Sequence, residues 1–236
     1  MLTGYTLKIN QVLGRIKRPG RKATHEVVAA ALRDAITTGQ LKANQPLPQA
    51  EIAANLQVSH IPVREALRQL ESEGLVTYQA NRGAMVSALS TEEIREIYDI
   101  RSMLETGAIR RTAPGLTAEN LTRAAAVLDL AEQTDDGATW GALDMEFHTL
   151  VYHLDERPRL QELITELLRR VDRYWMSYGL MLKYRGIFDQ EHRALLAVLT
   201  ARDSSRAETL LEAHLQGACE RLITEIEAAE GITQSA

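Results

Sequence analysis

Three histidines and one aspartate fall where the hydrophobic period of a helix turns inward. In "DMEFH", Asp144 and His148 lie one turn apart at the edge of a stripe made by Leu143, Phe147, Leu150 and Leu154. His192 sits on the stripe of Phe188, Leu195 and Leu199, and His214 on that of Ala207, Leu211, Leu215, Ala218 and Leu222. A buried imidazole without a partner is costly, so something must satisfy these groups. Hydrogen bonding inside the core is one answer. The other is an ion: carboxylate and imidazole at i, i+4 chelate one metal, and two further imidazoles complete an Asp/His₃ set suited to Zn²⁺, Ni²⁺ or a similar first-row cation. His25 and His153 read instead as surface or local packing residues.

A second set of chemically active side chains is basic. In "VSHIPVREALRQLESEGLV", His60, Arg64 and Arg68 share one side of a short helix, opposite the stripe of Val63, Ala66, Leu67 and Leu70. Like charges at i, i+4 repel by a few tenths of a kcal/mol unless an anion lies opposite. A solvated face with Glu65 and Glu71 nearby is the plainer alternative.

The elements that hold this helix follow from its flanks. Ser59 is an N-cap type, Pro62 sits in the first turn where no N–H is needed, and Gly74 supplies the left-handed stop after Glu73. Upstream, "LPQAEIAANLQ" predicts a short helix with Ile52, Ala53 and Leu56 inward, only Gln57, Val58 and Ser59 away, which is helix-turn-helix spacing. "THEVVAAALRDAITTG" supplies a third helix that stops at Gly39. Downstream, "GLVTYQANRGAMVSAL" predicts a hairpin with a cationic tip around Asn81, Arg82 and Gly83. Three helices and a hairpin make a winged helix-turn-helix, whose third helix enters the major groove while the wing reaches the minor groove or phosphates.

On "G-x-L-x-x-x-x-x-L", "VSxxPVREAL", "L-x-x-E-G-L-V" and "RGAxV", residues 39 to 86 resemble the DNA-binding domain of GntR-family transcription regulators. The resemblance implies Ser59, His60, Arg64 and Arg68 at the major groove and Arg82 and Gly83 at the wing. Two departures stand out. His60 replaces the family's usual Arg at a position expected to contact bases, and Gln45-Pro46 replaces a common Gly, which is expected to affect only a loop.

From Ser90 onward the sequence shows no strand signal, repeat or low-complexity tract. Six helices are expected: Ser90 to Ala113, opened by a Ser90/Glu93 capping box and closed by Pro114-Gly115; Thr117 to about 134; about 138 to 155; Pro158 to about 183; about 187 to 202; and about 204 to 230. The fold class is therefore mainly α, an N-terminal winged helix-turn-helix followed by an all-α six-helix antiparallel bundle. Domain limits are expected at 1–20 for an unplaced arm, 21–89 for the winged unit and 90–236 for the bundle, with a short linker from Ala88 to Ser90. Residues 90 to 230 resemble the FCD effector-binding domain of the FadR branch of the GntR family, nearer the shorter, VanR-like subgroup, with its histidine motifs matching at Asp144, His148, His192 and His214. That resemblance implies a divalent transition metal, zinc or nickel, helping to hold a small carboxylate. It also implies that Arg101, one turn before Glu105, presents a carboxylate-binding guanidinium, against the alternative of a surface ion pair.

Charge is unevenly placed. Over the whole chain it is −5, but residues 1 to 90 hold 11 Lys+Arg against 6 Asp+Glu (+5), and residues 91 to 236 hold 16 against 26 (−10). The basic head locates the phosphate-binding surface, and "RIKRPGRK" is either an arm on phosphates or a solvated tail. One cysteine, Cys219, excludes an internal disulfide framework. No apolar run approaches membrane length and no secretory leader opens the chain, so a cytoplasmic protein is expected. The leading expectation is a metabolite-responsive regulator, a homodimer on a pseudo-palindromic operator. The competing class is a metal-dependent hydrolase using the Asp/His₃ site, although no acidic base has motif support beside it. A bare dimerisation module would explain the bundle and leave the basic face idle.

Overall fold

A computed structural model describes residues 25–80, 82–154 and 156–234, and the chain divides into two compact units, Met1–Leu89 and Ser90–Ala236. The expected N-terminal arm, with its basic run, lies outside the described residues, as does Asn81 at the expected hairpin tip.

In the first unit, α1 (His25–Thr37), α2 (Gln49–Leu56) and α3 (His60–Ser72) enclose one core, with Val28, Leu32, Ile36, Ile52, Leu56, Val63, Leu67 and Leu70 fully buried. The α2–α3 turn closes because Gln57 takes a left-handed φ of 55°, and Val58 N–H donates back to the Ala53 carbonyl. Ser59 occupies the N-cap position of α3 as expected, yet its hydroxyl makes no capping bond. Gly74, at φ +72°, ends the helix, and β1 (Val76–Gln79) then pairs antiparallel with β2 (Gly83–Val86), Val76 opposite Val86 and Gln79 opposite Gly83.

Gln45-Pro46 is more than a loop. Asn44 N–H donates to the Val86 carbonyl, Val86 N–H to Gln45 and Leu47 N–H to Ala84, so this segment lies along β2 as a third, short edge. Proline is tolerated there because an edge position needs no donor on its outer side. The wing is therefore anchored at its base.

The second unit holds six helices among the described residues: α4 (Thr91–Thr112), α5 (Ala118–Gln133), α6 (Gly137–Tyr152), α7 (Pro158–Ser177), α8 (Leu180–Thr200) and α9 (Ser204–Gln234), with a short 3₁₀ turn at Ala113–Gly115. The Ser90/Glu93 capping box forms, and a second one forms at Thr117 with Asn120. Pro158 opens α7 at a position that needs no donor. One boundary differs from expectation: α7 stops at Ser177 and α8 begins at Leu180. Gly179, at φ +67°, makes the break, and Gly186, where the sequence suggests an interruption, is carried inside α8.

Candidate functional site

The histidine cluster is assembled from α6, α8 and α9. Each histidine replaces an apolar residue on the inward stripe of its helix, so the same burial that packs the bundle brings the imidazoles together. Ring centroids lie 4.9 Å apart for His148 and His192, 5.5 Å for His148 and His214, and 4.8 Å for His192 and His214. One potential ligand atom from each falls within 4.8 Å of the others. Asp144 Oδ1 stands 3.4 Å from His192 Nε2 and 3.8 Å from His148 Nε2. Ligand atoms around a tetrahedral Zn²⁺ with ~2.1 Å bonds are roughly 3.4 Å apart, so the three histidines need a modest inward closure, while Asp144 flanks His148 and His192 and stands outside that three-histidine group.

Hydrogen bonds on the far ring edges orient two of the imidazoles. His148 Nδ1 meets the Tyr152 hydroxyl at 2.9 Å, and that hydroxyl donates to Glu105 Oε2. His214 Nδ1 meets Glu191 Oε2 at 2.6 Å, and Arg221 donates to Glu191. Both arrangements leave Nε2 for the cluster, which is how a carboxylate or carbonyl partner fixes the tautomer of a metal-binding histidine. His192 is different. Its Nε2 is buried without a hydrogen bond, since Asp144 at 3.4 Å is misaligned for one. A ring nitrogen buried without a partner beside two other imidazoles is costly, and a cation that takes a lone pair from each would satisfy all three. His148, His192 and His214 therefore fit a metal in donor type and burial, with the half-buried Asp144 carboxylate beside two of them.

Electrostatics agree. Burial, the neighbouring His214 and Arg101 push His148 well below the ordinary histidine range, and burial with His214 and His148 does the same to His192. Both are held neutral, the form that ligates. Burial raises Asp144 to about 8, with Asp172 adding to the effect, and raises Asp172 itself to about 6. A cation at the cluster reverses the pressure on Asp144. Phe147, Phe188 and Trp140 wall the site, with ring centroids 4.9 Å from His192, 5.6 Å from His214 and 6.4 Å from His192 respectively.

Arg101 opens onto the same cavity, a space of about 40 Å³ lined also by Asp144, His148, Asp172, His214 and Met181. Its ion pair with Glu105 exists, Nε to Oε1 at 2.8 Å, but at 6% and 0% exposure it is buried rather than superficial. A larger groove of about 450 Å³ runs between α4 and α9, away from the histidines. Its rim carries Asp99, Glu212, Glu220 and Glu227 against Arg95, so it repels the anion the smaller cavity would take. Tyr152, Glu191 and Asp172 join the site without having been expected from sequence. Tyr152 carries a signal, the i+4 spacing from His148; Glu191 and Asp172 act across helices and carry none.

In the first unit, Ser59, His60, Arg64, Arg68, Arg82 and Gly83 are all exposed. Two of the neighbouring acids have partners elsewhere: Glu73 takes two donors from Arg33 at 2.6 and 2.8 Å, and Glu65 approaches His25 at 3.7 Å. Among the described residues Arg64 and Arg68 have no ion-pair partner, so the face remains open to phosphates and bases.

Comparison with known proteins agrees with both halves. Residues 24–86 match the bacterial regulatory proteins of the gntR family, and residues 96–217 match the FCD domain. The Nta operon transcriptional regulator of Aminobacter aminovorans is 27% identical over 71% of this chain and 80% of its own. The gluconate operon transcriptional repressor of Bacillus licheniformis is 31% identical over 56% of this chain and 55% of its own. A solved GntR regulator from Rhodococcus sp. RHA1 superimposes with a TM-score of 0.71 at 28% identity, covering 85% of this chain and 97% of that one. An open arginine face on a winged helix, a histidine-bearing helical unit behind it in sequence, and matches across both lead to one assignment: the chain belongs to the GntR family of bacterial transcription regulators, with an FCD domain as its effector-binding half.

Proposed function

We propose that this regulator senses a small organic or sugar acid held jointly by a divalent transition metal and Arg101, and that occupancy alters its affinity for an operator. The observation that carries the reading is the orphaned, buried Nε2 of His192 packed against His148 and His214, which with Asp144 line a cavity shared with the Arg101 guanidinium. Asp144, His148, His192 and His214 would hold the metal, zinc or nickel in type, which supplies an electrophilic anchor for a carboxylate. Arg101 supplies the second, through two terminal nitrogens that no acceptor takes among the described residues.

The cavity itself argues for two states. About 40 Å³ holds only a few waters, so an acid of several carbons enters only if lining side chains such as Met181 move. The liganded bundle then differs from the unliganded one, and the acid acts by its differential affinity for the two. On DNA, Arg64 would contact a guanine, with Ser59, His60 and Arg68 beside it and Arg82 and Gly83 on the wing; their exposure supports this reading. Two copies of the chain, as a homodimer in the cytoplasm, would span a pseudo-palindromic operator. The hydrolase alternative has no support, because the matched families and the relatives are transcription regulators.

The test selects bound fragments from a random DNA pool, then screens small carboxylic and sugar acids for release with and without a chelator. An acid that shifts the DNA dissociation constant only in the metal-loaded protein supports the proposal. Release by acids that is indifferent to both metal and Arg101→Ala refutes it. Double replacement of His192 and His214 by Ala should abolish bound metal on elemental analysis, and stoichiometric metal in that variant would remove these ligands from the site.

A further inference from the structure

The guanidinium and the metal ligand are joined by a hydrogen-bond chain in which every donor can be assigned. Arg101 Nε donates to Glu105 Oε1 at 2.8 Å. The other oxygen of Glu105 accepts from the Tyr152 hydroxyl, which has thereby spent its only proton. At 2.9 Å from that hydroxyl, His148 Nδ1 must therefore be the donor, and Nε2 must carry the lone pair. All four groups are buried, two from α4 and two from α6, each pair at i, i+4 spacing and the two helices joined through the Glu105–Tyr152 contact. Bonds in a chain of this kind polarise one another in a medium of low dielectric.

We infer that Glu105 and Tyr152 are positioning residues that set the ligating tautomer of His148 and tie its metal affinity to the state of Arg101. The inference rests on the proposed metal and acid site and deepens it. Glu105 grips Arg101 by the Nε edge alone, so a carboxylate that pulls on the outer nitrogens shifts the guanidinium against Glu105. Any loosening of Glu105 passes to Tyr152 and from it to the imidazole. Acid and metal then have affinities linked through this chain in addition to any direct contact between them, and the linkage is reciprocal. A purely structural pair would hold α4 against α6 and leave the ring nitrogens of His148 indifferent.

The experiment uses the full chain stripped of metal and titrated with Co²⁺ alone, read by visible absorption and competition with a chelator, together with ¹⁵N spectra of the imidazoles before metal is added. In Tyr152→Phe the ring stays and only the oxygen is lost. Expected are Co²⁺ affinity lower by about 10- to 100-fold and appearance of the Nε2–H tautomer of His148. Arg101→Lys, which keeps the charge and loses the fork, should weaken Co²⁺ binding although it ligates nothing. The double variant should bind no worse than Tyr152→Phe, because both act through one chain. Unchanged affinity and tautomer in Tyr152→Phe would overturn the inference while leaving the metal site standing, as would losses that multiply in the double variant. A wild-type chain that takes up no Co²⁺ would overturn both.

Discussion

Arg64 is the side chain proposed to contact a guanine. Its exposure and lack of an acidic partner mean that Arg64→Ala should leave the helical circular dichroism unchanged and weaken operator binding by about 1–3 kcal/mol; unaltered affinity in a gel-shift titration would remove this helix from base reading. Asp144 gives a second residue-scale prediction, in which the sign follows from its raised titration point. The folded, metal-free chain holds the Asp144 proton up to about 8, whereas the unfolded chain releases it near 3.8, so stability present in acid is lost as pH rises between those values. Asp144→Asn cannot ionise, and should therefore raise the melting temperature of the metal-free protein more at pH 8 than at pH 5 while abolishing tight metal uptake. Equal shifts at both values would show that the carboxylate does not feel its burial. The three clustered histidines are legible in the sequence because each interrupts an apolar stripe with a polar group. Their partners are not, since Glu191 precedes His192 by one residue and yet serves His214 on another helix, a relation that spacing along one chain cannot express.

Among the elements, helix starts are easier to read than helix ends. Ser90 and Thr117 announce themselves by what stands three residues on, and Ser90→Ala should destabilise the second unit by about 0.5–2 kcal/mol in chemical denaturation, since the box satisfies two backbone donors. Between α7 and α8 the sequence offers helix-forming residues on both sides and two glycines, Gly179 and Gly186, with nothing local to choose between them. The choice is made by backbone conformation. At φ +67°, with no atom within 4 Å of the place a methyl group would take, Gly179→Ala meets only conformational strain, about 1–2 kcal/mol. Gly186→Ala sits inside a helix in equally open space and should stabilise by up to about 1 kcal/mol. Opposite signs for two identical substitutions seven residues apart, read from melting temperatures, would confirm where the break lies, and like signs would deny it. The wing shows a different limit of sequence reading: Gln45-Pro46 looks like punctuation and acts as a sheet edge, because pairing with β2 depends on where the chain returns in space.

For the whole molecule the decisive property is the division of charge, +5 on residues 1 to 90 and −10 on the remainder. Operator affinity should fall linearly on a double-logarithmic plot against salt, and Arg82→Ala should reduce the slope by about 1 for each reading head engaged, with little change in sequence preference. A salt-independent complex would contradict phosphate contact by this face. Among the described residues no helix is long and apolar enough to cross a membrane. The chain also contains only two tryptophans, Trp140 and Trp175, and both line the cavity beside the histidines. Indole emission from this protein consequently originates entirely beside the proposed metal and acid site, so a paramagnetic cation binding there should darken the native fluorescence, and arrival of an acid should shift its colour, giving a label-free optical readout of the proposal.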